Sequence, residues 1–96
     1  KADHYKWLEQ NLQYFQVIPN ISGGVIGFIR IENNEISIWL DREYWGKGIA
    51  SFYLEEISEK GMFCKIVDGN ISSFRSFLNA GFKPIAHEHN YYILEK

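Results

Sequence analysis

The sequence contains a single cysteine, Cys64, among 96 residues, so no disulfide can form within the chain. Such a chain fits a reducing compartment, and we expect a cytoplasmic protein. No apolar run is long enough to cross a membrane, so no membrane contact is expected. The chain also lacks a Lys/Arg cluster and carries a net charge of −2, which argues against a nucleic-acid partner.

Metal-binding patterns are absent as well. The histidines His4, His87 and His89 are too scattered to form a metal site, so no metal is expected. Cys64 lies within a predicted strand and is interpreted as a core residue rather than a nucleophile. With 46% hydrophobic and 17% aromatic residues, the chain can close one small core, which predicts a single domain over residues 1–96.

The most informative stretch runs from Glu35 to Glu59 and reads as strand, glycine loop and helix. Residues Glu35 to Leu40 are β-branched and aromatic with alternating character, which predicts a strand. Gly46 and Gly48 follow, directly before a helical pattern. Successive N–H groups of such a loop can converge on an anion, and the helix dipole also favours negative charge there. The stretch therefore predicts a phosphate-binding loop.

Two common phosphate loops are excluded by what this one lacks. Gly48 is followed by Ile49 and Ala50, whereas a nucleoside-triphosphate loop would continue with Lys and Ser/Thr. A dinucleotide loop would follow the first strand of a parallel unit, but hairpin signals precede this loop.

The remaining pattern predicts a mixed sheet with flanking helices. Three antiparallel strands are expected first, and then a helical crossover that makes the strands at 35–40 and 62–67 parallel. Gly27, within the second strand, indicates a bulge or a close backbone neighbour. The predicted elements are a helix over 3–13, strands Tyr14–Ile18, Val25–Ile31, Glu35–Leu40 and Met62–Val67, a helix from Ile49, a helix Ile71–Asn79, and a hairpin of Phe82–His87 and Tyr91–Leu94.

The second helix carries two stripes with the same helical spacing. One consists of Ile71, Phe74 and Leu78, which we expect to pack on the sheet. The other consists of Asn70, Ser73 and Phe77, which is expected to face a second neighbour.

These two motifs resemble those of the GNAT superfamily of acyl-CoA N-acyltransferases. The family's pyrophosphate loop reads Gln or Arg, two residues, Gly, one residue, then Gly or Ala, and Trp45, Gly48 and Ala50 occupy these places. Trp45 departs from the pattern at a position that contributes mainly through its backbone. The family's Asn-x-x-Ser/Ala, aromatic, Gly-Phe segment is matched by Asn70-Ile71-Ser72-Ser73, Phe77 and Gly81-Phe82.

The resemblance implies a fold and a reaction. The fold is an α/β acyl-CoA N-acyltransferase fold with a mixed, mostly antiparallel sheet, splayed where the strands at 35–40 and 62–67 admit the pantetheine. The reaction is transfer of an acetyl group from acetyl-CoA to a primary amine by direct attack in a ternary complex. The motifs look most like the branch of amino-sugar and ribosomal-protein N-acetyltransferases. The alternatives are a non-catalytic acyl-CoA-binding or regulatory module and a structural domain whose loop holds nothing.

The resemblance also implies a shortened N-terminus, because members of the family begin with a further strand and helix. Without that strand, Tyr14–Ile18 would be an exposed sheet edge through which two copies could form a homodimer.

The implied acetyl-CoA contacts fall on both motifs. Backbone groups at the end of the strand Glu35–Leu40 would bind the pantetheine, and one of its N–H groups would donate to the thioester oxygen. The glycine loop would hold the pyrophosphate, and Asn70 would form a hydrogen bond with a pantetheine amide. The full set is Trp39, Leu40, Trp45, Gly46, Lys47, Gly48, Ile49, Ala50, Ser51, Asn70, Ser73 and Phe77.

Candidate catalytic residues are Glu35 and Ser37, on one face of the strand. Glu35 would accept the amine proton, directly or through water, and Ser37 would orient a water molecule. The alternative reading of Glu35 is a solvated surface charge. Family members often carry Tyr at the position of Phe77, and the Tyr hydroxyl protonates the departing thiolate. Phe77 has no such proton, so the resemblance implies that water or another hydroxyl protonates the thiolate here.

Overall fold

The computed structural model describes residues 15–96, and the helix predicted for residues 3–13 lies outside this range, as does Tyr14. The strands are β1 (Phe15–Pro19), β2 (Val25–Glu32), β3 (Glu35–Leu40), β4 (Phe63–Val67), β5 (Lys83–Glu88) and β6 (Tyr91–Glu95). The helices are α1 (Ile49–Ile57) and α2 (Ile71–Asn79), and a short 3-10 turn spans Arg42–Tyr44.

All strands of the described range form one sheet in the order β1-β2-β3-β4-β6-β5. Neighbouring strands are antiparallel except β3 and β4, which run parallel on either side of the crossover through α1. This arrangement confirms the predicted mixed, mostly antiparallel α/β sheet. Within residues 15–96, β1 lies at one end of the strand order.

The sheet is splayed between β3 and β4. The two strands are paired at one position only, Glu35 opposite Phe63. By contrast, β3 pairs with β2 along its whole length, from Glu35 opposite Glu32 to Leu40 opposite Gly27. The gap therefore widens toward the carboxyl end of β3, where the glycine loop begins.

In residues 15–96, one hydrophobic core lies between the sheet and the helices α1 and α2. Leu54 of α1 and Phe77 of α2 belong to the same buried cluster as Ile36 of β3 and Cys64 of β4. The helices also contact each other. Both helices pack on the face of β3 that carries Ile36, and residues of their first turns border the splayed end of the sheet.

The packing of α2 differs from the predicted one. Ile71 is 63% exposed and Leu78 is 40% exposed, so two of the three residues of the predicted stripe do not pack on the sheet. The helix is rotated so that Phe77, 3% exposed, enters the core and meets the Phe82 ring edge-on at 4.9 Å. Phe74 packs edge-on against Tyr92. The aromatic pairs, which bury more area than Ile71 and Leu78 could, explain this orientation.

Gly27 has a close backbone neighbour, which is one of the two features that a glycine within this strand predicted. A Cβ built there would lie 2.3 Å from the carbonyl oxygen of Trp39. Only glycine fits at this contact without displacing β3, so Gly27 helps to set the path of the strand that borders the gap.

Candidate functional site

A cavity of about 620 Å³ lies where the splayed end of β3, the glycine loop and the first turns of α1 and α2 meet. Its volume is within the range of small-molecule sites. Most of the predicted cofactor residues come together on its wall, namely Trp39, Leu40, Trp45, Gly46, Gly48, Ile49, Ala50, Ser51, Asn70 and Ser73. The structure thus brings the two sequence motifs to one site.

The loop has the backbone shape that an anion site requires. Gly46 has φ +75° and Gly48 has φ +78°, both in the left-handed region that favours glycine. A Cβ at either residue would meet no atom within 4 Å, so the space beside the loop is open. Consecutive N–H groups in such a turn form an anion-binding concavity.

The N-terminus of α1 keeps its backbone donors available. Gly48 is the N-cap and has no side chain to accept them, and the first turn contains no acidic residue. The Ser51 hydroxyl donates to the carbonyl oxygen of Gly48 at 3.2 Å rather than capping an N–H group. The first N–H groups of α1 therefore point, with the positive end of the helix dipole, toward the loop.

The N-terminus of α2 is capped by its own side chain. Asn70 Oδ1 accepts the N–H group of Ser73 at 3.3 Å. The Nδ2 group of Asn70 has no hydrogen-bond partner among residues 15–96, so it can donate into the cavity. Asn70 can therefore make the predicted amide contact through Nδ2 while Oδ1 keeps the cap.

The β3 edge offers further backbone groups to the cavity. Asp41 N–H donates to Ile26 on β2, and Phe63 N–H on β4 donates to Asn34, which fixes the alternation of the strand. Even-numbered residues of β3, including Ile38 and Leu40, therefore direct N–H and C=O toward the gap. Since β4 is in register only at Glu35, an extended ligand could pair with them as an added strand.

Trp45 contributes through its side chain, which the sequence did not indicate. Its indole Nε1–H donates to the carbonyl oxygen of Leu40 at 2.8 Å. Arg42 lies over the Trp45 ring at 5.5 Å. The indole ties the loop to the end of β3 and occupies the carbonyl oxygen of Leu40, which faces the gap.

We expect Trp45→Phe to weaken acetyl-CoA binding a few-fold, because the aromatic ring is kept but the bond to Leu40 is lost. The loss of one hydrogen bond corresponds to about 0.5–1.5 kcal/mol. Calorimetric titration checks this, with Arg42→Gln as the control that removes the cation over the ring but leaves the indole bond. Equal affinity of Trp45→Phe and the unmodified chain would show that the bond does not position the loop.

Two predicted cofactor residues do not line the cavity. Lys47 extends instead over the Tyr44 ring, with Nζ at 5.7 Å from its centroid, while Asn20 donates to the Tyr44 hydroxyl at 3.0 Å. Phe77 lies in the core against Phe82, so the structure gives its ring a packing position rather than the predicted place beside the cofactor.

Glu35 and Ser37 lie on the face of β3 opposite to buried Ile36. Ser37 lines a second, smaller cavity of about 140 Å³, which shares Ile38 and Trp39 with the large one. Glu35 lies farther along the same face, at the closed end of the gap. The two candidate catalytic residues are thus across the strand from the large cavity, and their roles stay predictions.

Cys64 is buried in the core, and its thiol is protonated at neutral pH. Burial raises the pKa of the Cys64 thiol to about 12. The residue is therefore placed as the sequence suggested, in packing. In the described range, no three His, Cys, Asp or Glu side chains are grouped as metal ligands. None of the helices described is both long and apolar enough to cross a membrane.

Several solved structures with the same fold are acetyltransferases. One is a GNAT-family acetyltransferase from Bacillus anthracis, with 17% identity over 97% of this chain and 72% of that chain, and a TM-score of 0.76. Another is the microcin C7 self-immunity acetyltransferase in complex with acetyl-CoA and AMP, with 18% identity, 99% and 70% coverage, and a TM-score of 0.75. A third is the ribosomal-protein-alanine N-acetyltransferase from Brucella melitensis, with 17% identity, 99% and 76% coverage, and a TM-score of 0.72.

These likenesses confirm the fold that the two motifs implied: the chain has the acyl-CoA N-acyltransferase fold of the GNAT acetyltransferases. No protein-family model matches the sequence, and no curated protein matches it significantly.

Proposed function

We propose that this protein transfers an acetyl group from acetyl-CoA to a primary amine by direct attack in a ternary complex. One observation carries the proposal: the gap between parallel β3 and β4 opens onto a glycine loop and an uncapped helix N-terminus. An unpaired strand edge suits an extended amide-bearing arm, and the loop suits a phosphate at the end of that arm. Acetyl-CoA contains both parts in this order.

The residues of the cavity fit the donor. The N–H groups from Gly46 to Ser51 would hold the pyrophosphate, in the open space that a Cβ at Gly46 or Gly48 would enter. The gap-facing groups of Ile38 and Leu40, together with Asn70 Nδ2, would bind the amides of the pantetheine arm. When bound, acetyl-CoA supplies an activated acyl thioester.

The protein's own contribution is positioning and electrostatic stabilisation. A gap-facing N–H group at the end of β3 would stabilise negative charge on the acyl oxygen as the amine attacks. Holding amine and thioester together supplies much of the remaining rate enhancement. A base must also take the proton of the amine, and Glu35 is our candidate because it lies on the face of β3 from which an acceptor can approach.

We place the acceptor at the second cavity. That cavity shares Ile38 and Trp39 with the large one, so the two cavities adjoin at β3. Its other walls include the rings of Phe15 and Phe28, which meet edge-on at 6.2 Å. The acceptors to test first are a nucleotide-linked amino sugar and a protein N-terminal amine. We also propose that the chain is a single cytoplasmic domain that forms a homodimer through the edge of β1.

The second candidate function is an acyl-CoA-binding module without catalysis. The observation that favours it is Phe77, which has no hydroxyl and lies in the core, so it cannot protonate a leaving thiolate. This function would keep the whole cavity and lose only turnover.

Titration with acetyl-CoA, followed by assays with a panel of amines, tests these functions. We expect saturable binding and release of free CoA thiol that requires an amine. Binding without turnover across the panel would favour the module. Failure of acetyl-CoA to bind a folded chain would refute both.

We expect Glu35→Gln to lower turnover by at least about tenfold at neutral pH, since general bases typically contribute about 10²–10⁴-fold. The loss should shrink at high pH, where free amine is abundant, and acetyl-CoA affinity should be unchanged. The measurement is a pH–rate profile with calorimetry. Glu56→Gln is the matched control, because Glu56 is exposed on α1, forms no ion pair among residues 15–96 and lines neither cavity. A profile like that of the unmodified chain would remove Glu35 from the mechanism.

A further inference from the structure

Arg75 is the one charged side chain among the described residues that line the large cavity. It is exposed and belongs to α2. The rest of the α2 wall is polar but neutral, and includes Asn70, Ser72, Ser76 and Asn79. The cavity wall on this helix therefore carries one positive charge.

That charge has no acidic partner within residues 15–96. The ion pairs in this range join Arg30 to Glu32 and His87 to Asp68, and neither involves Arg75. Its helical neighbours three and four residues away are Ile71, Ser72, Leu78 and Asn79, so no carboxylate on α2 can compensate it either. A cation that borders a cavity without a protein partner is available for an anionic ligand.

Arg75 belongs to a different element of the cavity from the phosphate loop. The loop and the start of α1 form one wall, and Arg75 projects from α2, which forms another. In the proposed function, backbone N–H groups from Gly46 to Ser51 bind the pyrophosphate, so this phosphate needs no side-chain donor. A long, exposed guanidinium suits a different phosphate, one that stays in contact with water. Its planar fork can bind phosphate oxygens in pairs.

We propose that Arg75 binds the 3′-phosphate of the adenosine of CoA and so makes the site prefer CoA to dephospho-CoA. This inference rests on the proposed function, because it assigns a residue to one part of the proposed donor. It predicts two separate anion sites in one cavity: a backbone site for the pyrophosphate and a side-chain site for the 3′-phosphate.

Calorimetric titration with CoA and dephospho-CoA, which differ only in the 3′-phosphate, tests the inference. We expect the unmodified chain to bind CoA at least about fivefold more tightly, and Arg75→Gln to reduce that preference to less than about twofold by weakening CoA alone. Arg75→Lys should restore part of the preference. The preference should also fall as salt is raised, since an exposed ion pair is screened.

Lys65→Gln is the matched control, because it removes one positive charge from β4, where Lys65 lies over the Tyr91 ring and lines neither cavity. It should keep the preference for CoA. Circular dichroism of each variant verifies folding.

The failures of the two proposals are distinguishable. If the unmodified chain binds both ligands equally, or if Arg75→Gln weakens both equally, Arg75 does not bind the 3′-phosphate and the inference is overturned while acetyl-CoA binding stands. If the folded, unmodified chain binds neither ligand, the proposed function is overturned and the inference with it.

Discussion

Gly48→Asp is expected to lower the affinity for acetyl-CoA by at least about tenfold, roughly 1.4 kcal/mol or more, while the chain still folds. Gly48 is the N-cap of α1 with φ 78° and ψ 4°, a conformation that Asp tolerates better than most residues. A Cβ there meets no atom within 4 Å, so the side chain has room. The new carboxylate would accept N–H groups of the first turn and place negative charge where the pyrophosphate binds.

Gly48→Asn is the matched control for this prediction. Asn is nearly the same size as Asp, tolerates the same left-handed backbone and can cap the same N–H groups, but it carries no charge. The difference in affinity between the two variants therefore reports the repulsion between carboxylate and pyrophosphate. Calorimetry measures both, and thermal unfolding followed by circular dichroism verifies the fold. If the folded Asp variant bound acetyl-CoA as tightly as the unmodified chain, the loop would not be the phosphate site.

The features predicted correctly from the sequence are those that local signals determine. The strand Glu35–Leu40 and the helix Ile71–Asn79 have the predicted bounds, because alternation, capping and glycine punctuation all lie within a few residues. The left-handed glycines at 46 and 48 follow from the same local logic. Since the two motifs lie on consecutive crossover elements, the cavity between them was also predictable.

Long-range packing explains what the sequence did not predict. The two stripes of α2 have identical spacing, and only the positions of Phe82 and Tyr92 decide that Phe77 and Phe74 face the core. Because its ring faces the core, Phe77 does not line the cavity where the cofactor contacts were predicted. The spacing of apolar residues along the helix does not indicate that Phe77 is buried and Ile71 exposed.

The side-chain role of Trp45 and the place of Arg75 in the cavity wall were not predicted, for related reasons. The indole bond from Trp45 to Leu40 depends on the path of the 3-10 turn between them, which no pattern in the sequence indicates. Arg75 borders the cavity because α1 and α2 pack side by side. One signal could have identified it: a lone basic residue on a helix with no acid three or four positions away.

Gly27→Ala is expected to lower the free energy of unfolding by about 1–3 kcal/mol or more, the usual cost of adding atoms to a well-packed interior. The added Cβ would lie 2.3 Å from the carbonyl oxygen of Trp39 and 3.1 Å from the Cα of Leu40. Both neighbours are backbone atoms, so no side chain can rotate away and β3 itself must shift. Because β2 is paired on both sides, to β1 and to β3, the strain cannot be relieved by moving an edge.

The same shift should reach the candidate site. Trp39 and Leu40 line the large cavity, so we expect acetyl-CoA affinity to fall together with stability. Gly24→Ala is the control: Gly24 has φ +82° and nothing within 4 Å, so it reports the cost of left-handed backbone alone and should leave acetyl-CoA affinity unchanged. Urea unfolding and calorimetry measure both quantities. If Gly27→Ala were as stable as the unmodified chain, the close approach of β2 and β3 would be wrong; if it were destabilised but bound acetyl-CoA normally, the path of β3 would not control the site.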